Sequence, residues 1–465
     1  MMIFIVLLSA LLASASADDG YSCTGSHTIN PPADLTKPYY YPEGWTETQE
    51  PATYAGGQTC NWKINVPQGM FATVTYYKRT ASESGITCLY PNGYQQYIED
   101  QDQNPYIFTS PQFQVNLKVS DDSGEFSFKV VWSKYPGTCQ VNNQLSDTRG
   151  SASSPSPCIT TYTSPNRVVL VPFSLKDDKY RLLRQSAVYD GDSVNSPYLG
   201  NLATTRYQIT STGNKLTIHT FRLSDVFNYT LFMGMDTNAL GDVQQITGVN
   251  PPYDSRFAYS LYLNSDDKVS AIATIGIDPD YLEQIREFPG GANLRVYEEQ
   301  ISDSNLMATI NQYNFQKQLP LEVKTALKIY KLDGGRVYIP MTKNASAANW
   351  NTVFDGRFVN IHSLDYRRTS YNQDTFETFQ IAPNSIKLYF KFNVIKFDTQ
   401  GGPTTLAITI YKDGYTVYSD TFSKSHLPPG NTIKILGDMM TIQYQTHGTY
   451  TRGFEVDLVT SRNSN

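Results

Sequence analysis

Apolar and polar residues alternate through much of the chain. Phe113, Val115, Leu117 and Val119 are separated by Gln114, Asn116 and Lys118, and Phe126, Phe128, Val130 and Trp132 by Ser127, Lys129 and Val131. Ile386, Leu388, Phe390 and Phe392 repeat the pattern around Lys387, Tyr389 and Lys391. A period of two puts one face of an extended strand on a core and the other in water. Clusters of Pro, Gly, Asn and Asp interrupt these runs at short intervals, as in antiparallel sandwiches. One segment has helical spacing instead. Asp278 suits an N-cap and Pro279 the first helical position; Leu282, Ile285 and Phe288 follow, and Pro289-Gly290-Gly291 ends the run. The pattern therefore predicts one short helix in an otherwise all-β chain.

A longer period overlies the short one. An aromatic or β-branched strand runs into a turn at Leu89-Tyr90-Pro91-Asn92-Gly93, Val188-Tyr189-Asp190-Gly191, Val296-Tyr297-Glu298-Glu299 and Ile410-Tyr411-Lys412-Asp413-Gly414. The four tyrosines lie 99, 108 and 114 residues apart, and alternating strands follow each at a similar distance. Copies of one β module explain this order, and the spacing suits a sandwich of about 100 residues.

Composition narrows the class. The chain has 465 residues, with 34 Tyr, 22 Phe and 4 Trp, so it has ample apolar surface to bury. A net charge of −6 leaves no basic excess for a phosphate backbone, which disfavours nucleic-acid binding. The apolar run Ile3 to Leu8 continues through Ala10-Leu11-Leu12 to Ala15-Ser16-Ala17, and predicts a secretory signal peptide over 1–17. Its apolar part is too short for a spanning helix, and no later segment is apolar enough. The expectation is a secreted, extracellular protein with no membrane span.

Secretion favours disulfides among Cys23, Cys60, Cys88, Cys139 and Cys158. An odd count leaves at least one thiol free or paired between chains, and the sequence alone does not choose the pairing. Asn228-Tyr229-Thr230 and Asn344-Ala345-Ser346 are glycosylation sequons.

Several motifs bear a family resemblance. Val188-Tyr189-Asp190-Gly191-Asp192-Ser193, with Ser196-Pro197-Tyr198-Leu199-Gly200, resembles the turn segment of CUB domains. Ser211 to Ile218 is similar to the strand that follows it, and Met440-Thr441-Ile442 with Thr451-Arg452-Gly453-Phe454-Glu455-Val456 to the CUB ending. Residues 21–136 resemble the nematode CUB-like family through Tyr39-Tyr40-Tyr41-Pro42-Glu43-Gly44-Trp45, Cys60-Asn61-Trp62-Lys63-Ile64-Asn65-Val66-Pro67 and Phe108-Thr109-Ser110-Pro111. Members of that family are secreted multidomain proteins, several associated with intestinal responses to microbes. The resemblance implies a defence role without known catalytic activity. It also implies the bridges Cys23–Cys60 and Cys139–Cys158. Cys88 then remains as a buried thiol, or as the link in a Cys88-bridged dimer.

Candidate chemistry is sparse. Many CUB modules bind calcium through a carboxylate six positions before the turn Asp. Here Arg184 and Ala407 stand six before Asp190 and Asp413, so the oxygen ligands that calcium needs are missing, and Asp121-Asp122 and Asp225 do not restore them. No metal or cofactor is expected. There is no G-x-S-x-G, H-E-x-x-H or P-loop, and the histidines are scattered; His219 reads as solvent-facing on its strand. Glu298 and Glu299 are adjacent, so on a strand they point to opposite faces. Tyr371, Phe376 and Phe379 read as core. Tyr39, Tyr40, Tyr41 and Trp45, in a stretch without clean alternation, are the candidate ligand-binding residues, because flat rings on a loop stack on sugars or proteins.

The expected architecture is tandem CUB-like antiparallel β-sandwiches, jelly-roll-like, over 21–136, 139–236, 250–343 and 346–461. A Ser/Pro-rich linker, Gly150 to Pro157, precedes the body of the second. The expected function is non-enzymatic recognition of an extracellular protein or glycan, in innate defence. A structural extracellular protein and a hydrolase with a site between modules are the alternatives.

Overall fold

A computed structural model describes residues 21–463 except 24, 80–84, 99–103, 121–122, 138, 140, 146–150, 154–157, 175–176, 206, 222–229, 252–257, 365, 367–368, 372 and 400–401. The segment 1–17, the sequon residue Asn228, Asp121-Asp122, Asp225 and most of the predicted linker lie outside the described residues. The chain divides into two compact units.

The first unit holds residues up to 140 together with 184–189 and 193–204. The ten strands of its N-terminal sandwich, in chain order, are β1 (Gly25–Ile29), β2 (Tyr39–Tyr41), β3 (Thr53–Tyr54), β4 (Thr59–Asn65), β5 (Met70–Arg79), β6 (Gly85–Leu89), β7 (Gln95–Tyr97), β8 (Tyr106–Thr109), β9 (Gln112–Lys118) and β10 (Gly124–Lys134). They form two sheets, β1-β4-β9-β6-β7 and β2-β10-β5-β8, with β3 also on β10. Alternation does the folding here. Phe113, Val115 and Leu117 on β9 meet Val74, Tyr76, Phe126 and Phe128 of the other sheet around Trp62, all at most 1% exposed. All pairs are antiparallel except β1 with β4. The Cys23–Cys60 disulfide fastens the start of the domain to β4. Two further strands, Ser186–Tyr189 and Tyr198–Asn201, pair with each other in this unit.

The second unit contains the rest of the chain. A nine-stranded sheet runs through both of its first two predicted modules. The strand Gln245–Val249, which falls between the predicted boundaries at 236 and 250, joins them: it pairs in parallel with the end of Val168–Ser174 and with Ser270–Ile275. Val169, Val171, Met233, Ile246, Ala273 and Ile329 share one core across that junction. Ser151–Ser153, inside the predicted linker, is a strand paired with Phe232–Gly234. The C-terminal module has two sheets of its own, and its core also takes in Tyr281 of the preceding region. A five-stranded and a four-stranded sheet enclose Trp350, Phe379, Phe390, Ile408, Ile442 and Phe454.

Several expectations are corrected. The segment predicted as a helix contains the strand Asp280–Leu282. Asp280, Leu282, Ile285 and Phe288 are all buried, and so is Tyr281 between them. A helix would also place Tyr281, Ile285 and Phe288 on one face, so the apolar spacing does not decide the conformation; the segment is extended because Asp280–Leu282 pairs with Leu321–Val323 on one side and with Met341 and Thr342 on the other. Asp280 is buried because Lys328 lies 3.0 Å from its carboxylate, with both side chains at 0% exposure. His219 does not face solvent: its strand, Lys215–Thr220, is buried on both faces. Tyr371 and Phe376 are exposed, whereas Phe379 is core. Glu298 and Glu299 are both buried. Ile386 precedes its strand and is exposed, so alternation there starts at Leu388.

Candidate binding site

The predicted ligand-binding aromatics are largely committed to the protein. Tyr39–Tyr41 form β2 rather than a loop, in register with Phe128–Val130. Tyr41 packs against Trp62 and Phe128 at ring separations of 4.8 and 5.3 Å. Tyr39 lies against Trp132. Trp45 is buried, and its indole nitrogen donates to the Glu50 carbonyl at 2.9 Å. Tyr40 turns outward, where Lys129 sits 5.9 Å above its ring. The physical reason is the sandwich's open edge. An edge strand whose one face is aromatic seals a core better than it offers a free ring.

A cavity of about 280 Å³ opens elsewhere in the same unit. The turn between β8 and β9 supplies Thr109, Ser110 and Pro111; Gln68 and Gly69 precede β5, Pro91 follows β6, and Tyr135 follows β10. The second half of the wall is Tyr189 with Val194 to Tyr198. Three local features hold that wall in place. The Arg184 guanidinium stacks 3.8 Å from the Tyr106 ring centre, Asn92 Nδ2 donates to the Leu199 carbonyl at 2.7 Å, and the Tyr135 and Tyr189 hydroxyls are 2.8 Å apart. Arg184 thus serves as a packing cation.

No lining residue carries a formal charge at neutral pH. Burial raises the Tyr135 and Tyr189 phenols above their ordinary range, so both stay protonated. What remains is a set of hydroxyls and amides, together with the rings of Tyr189 and Tyr198, whose planes meet at 64° and 6.0 Å, and three prolines. Neutral hydrogen-bonding groups beside ring faces suit a ligand with hydroxyls on its rim and C–H groups on its faces. Pro111 and Tyr198 belong to motifs that carried the family resemblance, but their sequence separation hid the convergence.

Cys139 and Cys158 are both disulfide-bonded. Cys88 is the free thiol; it is fully buried, 2.8 Å from the Tyr76 hydroxyl, and burial pushes its pKa up to about 12. A Cys88-bridged dimer would require this core to open. Asn344 is exposed; its Oδ1 accepts from the Ser346 and Ala347 amides, which caps the following turn.

Comparison with known proteins agrees with the first sandwich. Residues 18–136 match the family described as CUB-like domain. Residues 143–221 and 238–344 match two families described as domains of unknown function, DUF7592 and DUF7591. The chain therefore carries an N-terminal CUB-like domain, a class that suggests an extracellular binding module, within a nearly all-β protein. No curated protein matches it. Among solved structures, the CUB1-EGF-CUB2 domains of rat MASP-1 align over 46% of this chain and all of that one, at 10% identity and a TM-score of 0.20. The corresponding human MASP-1/3 region aligns over 43% of this chain and 97% of that one, at 12% and 0.18. PliG of Aeromonas hydrophila, a periplasmic lysozyme inhibitor, aligns over 24% of this chain and all of that one, at 9% and 0.16. Among the described residues, no helix is long and apolar enough to cross a membrane.

Proposed function

We propose that this is a secreted recognition protein that works without catalysis and binds a neutral glycan in the N-terminal cavity, in defence against microbes. The single observation behind this reading is the composition of the cavity wall: hydroxyls, amides, tyrosine rings and prolines, with no ionised group. A phosphate or carboxylate entering it would lose hydration without gaining a counter-charge, whereas a sugar exchanges water hydrogen bonds for protein ones. The CUB-like match and the disulfides favour an extracellular setting.

The test is a glycan array and a microbial polysaccharide pull-down with the full chain. Tyr198→Ala and Asn195→Ala should each weaken binding at least about tenfold, which is the loss of one buried contact of roughly 1.4 kcal/mol. Tyr40→Ala, on the outer edge of β2, should leave it unchanged. Binding that survives both cavity substitutions and fails with Tyr40→Ala would return the site to the β2 aromatics.

A further inference from the structure

A second cavity, of about 530 Å³ and with a different chemistry, is lined mainly by the C-terminal module, with Ser304 of the preceding region at its wall. The strand Phe454–Ser461 contributes Glu455 to it. Alternation there sends Phe454, Val456 and Leu458 into the core and leaves Glu455 on the opposite face. On the neighbouring strand, Leu388–Phe397, the register slips between Val394 and Lys396. The extra residue, Ile395, is displaced, and Lys396 stands opposite Glu455 in its place. A bulge of this kind re-aims a side chain, and such bulges recur beside functional sites.

The two signs of charge are held differently. Glu455 is fixed: the Tyr366 hydroxyl donates to one oxygen at 2.6 Å and Asn360 Nδ2 to the other at 3.0 Å. Each carboxylate oxygen keeps a further lone pair. Asp398 is fixed as well, accepting from the Arg452 amide at 2.7 Å and from Thr451 Oγ1 at 3.3 Å. Lys396 and Arg452 are exposed, and among the described residues neither makes an ion pair. The cavity thus pairs two anchored carboxylates with two unclaimed cations, and the Phe397 and Tyr366 rings supply apolar wall.

From this arrangement we infer that the C-terminal cavity binds a small zwitterion of the α-amino-acid class, its ammonium on the Glu455 and Asp398 side and its carboxylate on Lys396 and Arg452. A plain anion would meet the fixed carboxylates, and a plain cation the two basic side chains; only a ligand carrying both charges satisfies both sets.

Titration calorimetry on the full chain decides it, with L-leucine as the probe. The controls are 3-methylbutylamine, which lacks the carboxylate, and 4-methylpentanoate, which lacks the ammonium. L-leucine should bind, and each control should bind at least about tenfold more weakly, since a lost charge-assisted contact is worth about 1.5–3 kcal/mol. The pair Lys396→Gln and Arg452→Gln should weaken L-leucine about tenfold or more and strengthen 3-methylbutylamine, because the charges that repel a plain cation are gone. Both positions are exposed, so the melting temperature should stay at the wild-type value. The assignment is overturned if L-leucine does not bind, if 4-methylpentanoate binds as tightly, or if the double substitution leaves L-leucine affinity intact.

Discussion

Replacing Lys328 with Met probes the element that departs most from its sequence pattern. Lys328 Nζ lies 3.0 Å from Asp280 Oδ2 and donates to the Gly276 and Asp278 carbonyls at 3.1 and 3.0 Å, with no exposed surface on either charged side chain. Lys328→Met preserves much of the aliphatic stem but strands a buried carboxylate and two carbonyls. Breaking one partner of a buried pair costs about 3–5 kcal/mol. For a unit of this size, that corresponds to a fall of roughly 6–20 °C in melting temperature. Adding Asp280→Leu should restore most of the loss, because a buried ion pair and a packed apolar pair are often nearly equal in stability. Calorimetric melting of the wild type, single and double variants measures both effects. A loss under about 1 kcal/mol for Lys328→Met, or a double variant no more stable than the single, would refute the account of Asp280–Leu282 as a strand held by this pair.

Three further outcomes are expected. Cys60→Ser should cost the N-terminal domain about 2–4 kcal/mol, read by denaturant unfolding, because Cys23–Cys60 closes a loop of sequence separation 37; an unchanged midpoint would show that the bridge does not constrain the unfolded chain. A thiol reagent at pH 8 should leave Cys88 unmodified in the native protein and label it once denatured, as its burial and pKa of about 12 require. Burial lowers the His219 pKa to about 4, so the unfolded chain binds the extra proton and stability should fall as pH drops from about 6.5 toward 4, by on the order of 3 kcal/mol. His219→Gln should flatten that decline in melting temperature, and an identical pH profile would sink the assignment.

The fold class was legible because period-two alternation is a local property. Phe113, Val115 and Leu117 point into a core wherever the strand ends up, since successive side chains alternate across any strand. The N-terminal CUB-like domain was legible for a related reason: its aromatic and cysteine motifs cluster within single strands and turns. The two candidate cavities were not. Pro111 and Tyr198 meet only where segments far apart in sequence pack around one cavity, and Lys396 and Glu455 only through a pairing between distant strands, at a bulge that shifts register by one residue. Sequence patterning also misplaced residues whose surroundings are set from outside. The apolar spacing of Leu282, Ile285 and Phe288 fits a helix, yet a lysine 48 residues after Asp280 holds the segment extended. Phe376 reads as core by its apolar side chain, yet faces solvent, because on one strand it lies on the face opposite the buried Phe379. Local patterning sets which segments become strands and which of their faces are apolar. Which strands adjoin, and so where neutral and charged groups converge, comes from packing between segments far apart in the chain, which no local pattern encodes.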